Sequence, residues 1–467
     1  MTASSAPHAP AAAIGTATGL VALVLLSACA PKVALPMAPE ILSAEWRGSS
    51  PSGHPASFPA DLGAALGSAE LGMLIDRALA RNADLGAATA RVAQARAQLD
   101  IARASMLPVV SGAAGVGATR TDDSGGTLFE FSEGFAGLDI AYELDLFGRG
   151  RAERRSACAR VAATAFDRAA LALVVEGDVA RAFVQHAALA DRLALLDRNI
   201  ETARELDRII GVRRRLGVAT LVETGLQANQ VRLLEAERSR LVEAQARTRN
   251  ALAILLGEEA PRLTLPPVSL SGFAVPALAL PPPAALLAAR PDIRAAEARI
   301  AAADGDVAQA RAAFLPQLRL GAGALGQAAT LSGPFGATLT AGAELLAPIF
   351  DRRRLRGGLG FATAAQLETV ELYRKALLAA LGEVEDALAA AEQSRAREAL
   401  LAAIIAEART TARLVRLQYI EGEADLQLLL DAERDLVQAE DAHAIAVQER
   451  LDAAITLYRA AAGKIAP

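Results

Sequence analysis

The sequence predicts a mainly α-helical, internally duplicated protein whose few β-strands face two environments. Three observations carry that expectation. The 467-residue chain is 53% hydrophobic but only 4% aromatic, so its apolar surplus is alanine and leucine, which favour long helices packed along close seams. The chain also aligns on itself at a shift of 208 residues. In each copy, the apolar period switches from 3.6 to 2 and back again.

The elements follow in chain order. Residues 1–28 contain no Lys, Arg, Asp or Glu and include the apolar run from Gly19 to Leu26. That run is too short to span a bilayer and reads as the h-region of a signal peptide. Leu26-Ser27-Ala28-Cys29 resembles the bacterial lipobox, which makes Cys29 the expected lipidation site and new N-terminus. Residues 29–63, punctuated by proline and glycine, read as a lipid-anchored extended arm. Cys158 is the only other cysteine, so no intrachain disulfide is possible once Cys29 is acylated.

Residues 64–256 form the first repeat. The alignment places Asp84 on Asp292, Arg91 on Arg299, Arg103 on Arg311 and Pro108 on Pro316. From Asp84 to Val116, 14 of 33 positions match without a gap, and the shared Asp, Arg and Pro positions exceed what alanine-rich composition alone would give. A helix of about 35 residues is expected up to Pro108, where the missing amide stops it. A hairpin over 108–145 follows, in which Leu138, Ile140, Tyr142 and Leu144 alternate with polar or small residues. Its turn is Thr121 to Gly126. From Gly150 to Leu216 no proline interrupts the helical pattern, which at ~1.5 Å per residue means a helix on the order of 100 Å. A turn near Gly217 leads into an antiparallel helix ending at Leu256. Residues 257–283, rich in proline, read as an irregular connector.

Residues 284–467 repeat the order. A helix runs to Pro316, and a hairpin spans 316–348 with Phe335, Ala337, Leu339, Ala341, Ala343 and Leu345 on one face. Asp351 suits an N-cap, and two long helices meet at a turn near Gly422.

Several function classes are excluded. A net charge of −5 spread without blocks gives no footprint for nucleic acid. The four histidines, His8, His54, His186 and His443, lie far apart without ligand spacing, so no metal is expected, and His186 and His443 read as polar-face residues. Gly321-Ala322-Gly323-Ala324-Leu325-Gly326 spells a dinucleotide fingerprint, but it follows a helix and lies in a strand, the reverse of what pyrophosphate binding needs. No nucleophile, paired-carboxylate or triad arrangement stands out. Neither enzyme activity nor a cofactor is expected.

Four amphipathic strands cannot close a membrane barrel, because the smallest use about eight and open edges cannot face lipid. Several chains must therefore share one barrel. Phe129, Phe131, Phe135, Tyr142, Phe147, Phe314, Phe335 and Phe350, 8 of the 17 aromatics, cluster at the hairpin ends, as interfacial girdles do.

These residues resemble the TolC-like outer-membrane efflux channels, in their NodT-type lipoprotein branch. The specific pieces are Tyr142-Glu143-Leu144-Asp145-Leu146-Phe147-Gly148, Arg290-Pro291-Asp292-Ile293-Arg294-Ala295-Ala296-Glu297, Arg311-Ala312-Ala313-Phe314-Leu315-Pro316 and Pro348-Ile349-Phe350-Asp351. The resemblance implies a homotrimer with a 12-stranded barrel in the outer membrane of a Gram-negative bacterium and an α-helical coiled-coil barrel in the periplasm. It implies a periplasmic adaptor and an inner-membrane RND-type transporter as partners, with small molecules such as drugs as cargo. The alternatives are a conduit for type I protein secretion and a periplasm-spanning lipoprotein without a pore.

The resemblance also implies site roles. Arg215, Gly217, Glu421, Gly422 and Glu423 fall at the tips that an adaptor would contact. Leu430-Asp431-Ala432 matches the motif whose acidic residue faces the threefold axis, so Asp431, with Arg434 three residues on, is the expected periplasmic gate. Leu428 stands where a second acidic residue is common. Arg149, Arg151 and Arg352-Arg353-Arg354 sit at strand-to-helix junctions, where lipid headgroups are their expected partners.

Overall fold

The computed structural model describes residues 46–47, 62–122, 128–276, 280–328 and 334–461; in 119–122 and 128–132 it describes the backbone alone. The expected signal peptide, Cys29 and most of the arm lie outside the described residues. Among the described residues, thirteen α-helices and β-strands follow in chain order: α1 (Leu62–Ala65), α2 (Ala69–Arg81), α3 (Ala83–Ala104), β1 (Val109–Asp122), β2 (Leu128–Leu144), α4 (Arg149–Arg215), α5 (Leu221–Leu256), α6 (Pro283–Ala289), α7 (Pro291–Ala312), β3 (Gln317–Ala328), β4 (Phe335–Leu346), α8 (Arg352–Glu421) and α9 (Leu426–Ala460). Among the described residues no helix is long and apolar enough to cross a membrane.

The chain divides into two compact units. The first contains the sheet and the flanking segments 93–163 and 297–372. Its four strands pair in the order β1-β2-β3-β4, all antiparallel. Each half of the sequence supplies one hairpin, and β2 joins β3 across the halves. Gly305 sets the approach of α7 to α4, because a Cβ there would lie 2.8 Å from the Ser156 amide nitrogen. The buried Ser156 hydroxyl donates to Asp306 at 2.6 Å, and Arg160 pairs with the other oxygen at 2.7 Å.

The second unit holds the remaining helix segments. Its largest core gathers Leu62, Leu71, Phe183, Leu252, Leu451 and Ile455 from α1, α2, α4, α5 and α9. Trp46, the chain's single tryptophan, packs against Leu286, Val384 and Leu457, and its indole donates to the Pro281 carbonyl at 2.8 Å.

The helices expected to run unbroken to the two prolines each divide in two, and both end before the proline, at Ala104 and Ala312. In the first repeat Asn82 makes the break. Its amide caps the Ala78 carbonyl, while its side-chain oxygen accepts from the Asp84 and Leu85 amides at 2.9 and 3.1 Å. One residue thus closes α2 and opens α3. In the second repeat the break falls at Arg290, which precedes a proline and so avoids helical backbone. Its buried guanidinium holds Asp292, Glu383 at 2.8 Å and the Ala460 carbonyl at 3.1 Å, and those pairings outweigh burial and raise its pKa further. Between the repeats, the connector contains short 3-10 turns at Ala260–Arg262 and Leu270–Gly272.

Candidate functional site

The sheet's register assigns every side chain to a face, since directly paired residues share one. One face carries Val110, Leu138, Ile140, Leu320, Leu339 and Leu345. Where side chains are described, it carries no charge. Val116 is 78% exposed and Leu339 83%, so among the described residues nothing covers this apolar wall at those positions. The opposite face carries Glu133, Asp139, Glu143, Arg319 and Glu344 with Ser111, Thr338 and Thr340. Among the described residues, the outer edges, β1 and β4, have no strand beyond them.

The aromatics divide between the faces. Phe335 lies on the apolar face over Gly326, where a Cβ would come within 2.0 Å of the ring. Phe135 lies over Gly115 on the charged face, which removes it from the expected lipid-facing girdle. Phe350, 98% exposed, stands at the junction after β4.

At the junctions three of the five expected headgroup arginines, Arg149, Arg151 and Arg354, already have carboxylate partners. Arg149 forks onto both oxygens of Glu143 at 2.8 Å. Arg151 holds Asp145 through its amide and guanidinium, and those bonds keep the Asp145 carboxyl below its ordinary pKa despite partial burial. Arg354 pairs with Asp351. Gly148, at φ 79°, lets the chain double back for these contacts.

The second unit carries two helical turns of one construction. At Gly217 (φ 76°) the Gly217 and Val218 amides donate to the carbonyls of Arg214 and Arg213 at 3.0 and 2.9 Å. At Gly422 (φ 82°) the Gly422 and Glu423 amides donate to those of Tyr419 and Gln418 at 3.2 and 2.8 Å. Both are Schellman closures, in which glycine takes the left-handed conformation without a Cβ clash. Three residues later Thr220 caps α5 through a capping box with Glu223, and Asp425 caps α9 by accepting from the Leu428 amide at 2.8 Å.

The side chains differ. Arg215, Leu216, Val218, Leu221 and Val222 are all exposed at the first turn. Glu421 and Glu423 are exposed at the second, but Leu426 and Leu429 are buried with Ile210 and Val415. Arg213 links the turns, stacking 4.8 Å from the Tyr419 ring centre and donating to its carbonyl at 3.3 Å. Burial pushes the Tyr419 hydroxyl pKa up.

The gate candidates lie one turn into α9. Asp431 and Arg434 pair at 3.2 Å, both about half exposed, and Gln427 donates to the same carboxylate at 3.3 Å. Leu428 is also half exposed. Farther along α9, sequence reasoning missed Asp452. Burial raises its pKa to about 6, against the pull of Gln448 and Arg181, and its Oδ1 has no hydrogen-bond partner among the described residues. The one signal for it is a carboxylate inside the apolar run Leu451 to Ile455. His186, expected on a polar face, is half buried with its pKa lowered by burial and by Arg249. Among the described residues no group of three or more His, Cys, Asp or Glu is placed to hold a metal ion.

The sequence matches the Outer membrane efflux protein family across residues 74–258 and 283–463. It is 33% identical to a pyoverdine export outer membrane protein of Pseudomonas aeruginosa over 463 residues, covering 95% of each chain. Its counterpart in Pseudomonas putida is 34% identical over 415 residues, covering 85% of this chain and 87% of that one. The fold superimposes on the outer-membrane channel OprN with a TM-score of 0.84 and 27% identity, covering 93% of this chain and 98% of that one. On the match across both halves of the sequence and the shared channel fold, the chain belongs to the outer membrane efflux protein family.

Proposed function

We propose that three copies of this chain close a 12-stranded barrel in the outer membrane and form the exit duct of a tripartite efflux pump. The observation that carries this reading is the sheet, whose apolar face is uncovered and whose two edges are open among the described residues. Such a surface is untenable in water and in lipid unless the edges pair. In the alternating antiparallel order, β4 of one copy would meet β1 of the next with the same alternation, and an even strand number closes the ring.

The helical turns supply the inner end of the pump. The first turn, with Leu216, Val218, Leu221 and Val222 around Arg215 and Gly217, would receive a periplasmic adaptor through apolar contact. The acidic second turn, at Glu421, Gly422 and Glu423, would supply charge complementarity to that adaptor. Asp431, Arg434 and Leu428 would ring the periplasmic gate. An inner-membrane RND-type transporter would select the cargo, and Cys29 would carry lipid in the outer membrane's inner leaflet. Relatives named for pyoverdine export favour small organic molecules over secreted polypeptides as that cargo. The test is single-channel conductance of purified protein in planar bilayers. Discrete steps from trimers support the duct, and trimers that never conduct, with or without the gate residues, contradict it.

A further inference from the structure

We infer that Asp139 sets the charge selectivity of the barrel wall and favours cationic over anionic cargo; the inference rests on the trimeric duct proposed above. Asp139 lies on the charged face of β2, exposed, opposite Ser111 on β1 and Gly323 on β3. Thr340 follows beyond Gly323 on β4. This rung therefore holds one carboxylate between two hydroxyl residues. Gly323 keeps the space open: a Cβ there would lie 3.0 Å from Thr340 Oγ1 and 3.5 Å from Asp139 Oδ1. The Thr340 hydroxyl donates to the Gly323 carbonyl at 3.5 Å, so its lone pairs remain free to accept. A surface of carboxylate and hydroxyl lone pairs suits cations and ammonium groups and repels anions.

Among the described residues no basic side chain on this face is close enough to cancel that charge. The nearest is Arg319, opposite Glu143 and Glu344, four residues along the strand and hence about 13 Å away. That exceeds the ~8 Å screening length at physiological ionic strength. Arg319 is also flanked by two carboxylates of its own rung. In the other direction the next charge is Glu133, of the same sign. In a trimer the middle of the wall would thus carry three like charges at one level.

The experiment is the reversal potential of trimers in planar bilayers under a tenfold KCl gradient, 100 mM against 10 mM. It is done in the Asp431→Asn background, so that the tip carboxylates do not dominate the reading. The parent wall should pass K+ in preference to Cl−. Asp139→Asn should lower the permeability ratio at least twofold, Asp139→Lys should invert it, and 1 M salt, with a screening length near 3 Å, should abolish it. Equal reversal potentials for all three forms would overturn the role of Asp139 while leaving the duct intact. Trimers carrying no current in any form would overturn the duct, and this inference with it.

Discussion

The two helical turns of the second unit share one backbone and differ in what surrounds their side chains. Gly217-Val218-Ala219-Thr220 and Gly422-Glu423-Ala424-Asp425 each pair a Schellman glycine with a cap three residues later. Yet Leu221, just after the first cap, is 69% exposed, and Leu426, in the same place after the second, is 5% exposed. The glycine and the cap build the turn. The following leucines decide whether it is a surface for a partner or the end of a core.

That division can be broken by substitution. The largest contrast is expected between Leu429→Ala and Leu221→Ala. Leu429 is fully buried, so its truncation should cost about 2–5 kcal/mol in thermal or denaturant unfolding. Leu221→Ala should cost less than about 0.5 kcal/mol while weakening adaptor binding in pull-down or calorimetry.

The same contrast exists along α9, between exposed Asp431 and buried Asp452. A carboxyl whose pKa rises from 3.8 unfolded to about 6 folded holds its proton more tightly in the native state. Stability therefore falls as pH rises from about 4 to about 6 and stays lower above that, by roughly 3 kcal/mol at most. Asp452→Asn should remove this decline and stabilise the protein at pH 7.5 but not at pH 4, as read from melting curves across pH. An unchanged pH profile would show that Asp452 is solvated in the assembled protein.

Smaller effects concern the backbone. Gly217→Ala and Gly422→Ala should each cost about 1–2 kcal/mol, because both positions are left-handed. Thr220→Ala and Asp425→Ala should each cost about 1 kcal/mol through loss of the cap. If the turns share one construction, the paired variants should match in melting temperature. The smallest effect on stability, about 0–1 kcal/mol, belongs to Asp431→Ala with Arg434→Ala, since exposed pairs contribute little. Its test is functional: if these residues close the gate, conductance rises.

The hairpins were legible because a wall with two environments writes its alternation into the strand, as at Leu138 to Leu144 and Phe335 to Leu345. The long helices were legible because no proline interrupts α4 or α8. The break at Asn82 was hidden, since its capping role depends on side-chain bonds that leave the helical pattern intact. The face of Phe135 was hidden because an aromatic at a strand end is compatible with either wall, and the register decides. At the first turn the charge of Arg215 was legible, while the exposure of Leu216, Val218, Leu221 and Val222 was not, because the same residue types serve equally as helix core. Asp452 was missed because burial is a tertiary property: one carboxylate among apolar neighbours could equally lie on a polar stripe.

The proposed duct depends most on the sheet being one third of a barrel. Native mass spectrometry of the detergent-solubilised protein measures this directly. The prediction is a single species at three times the mass of the mature chain, lost when either residues 108–145 or 316–348 are deleted. A stable monomer with its strands intact, or a trimer that survives loss of either hairpin, would contradict it.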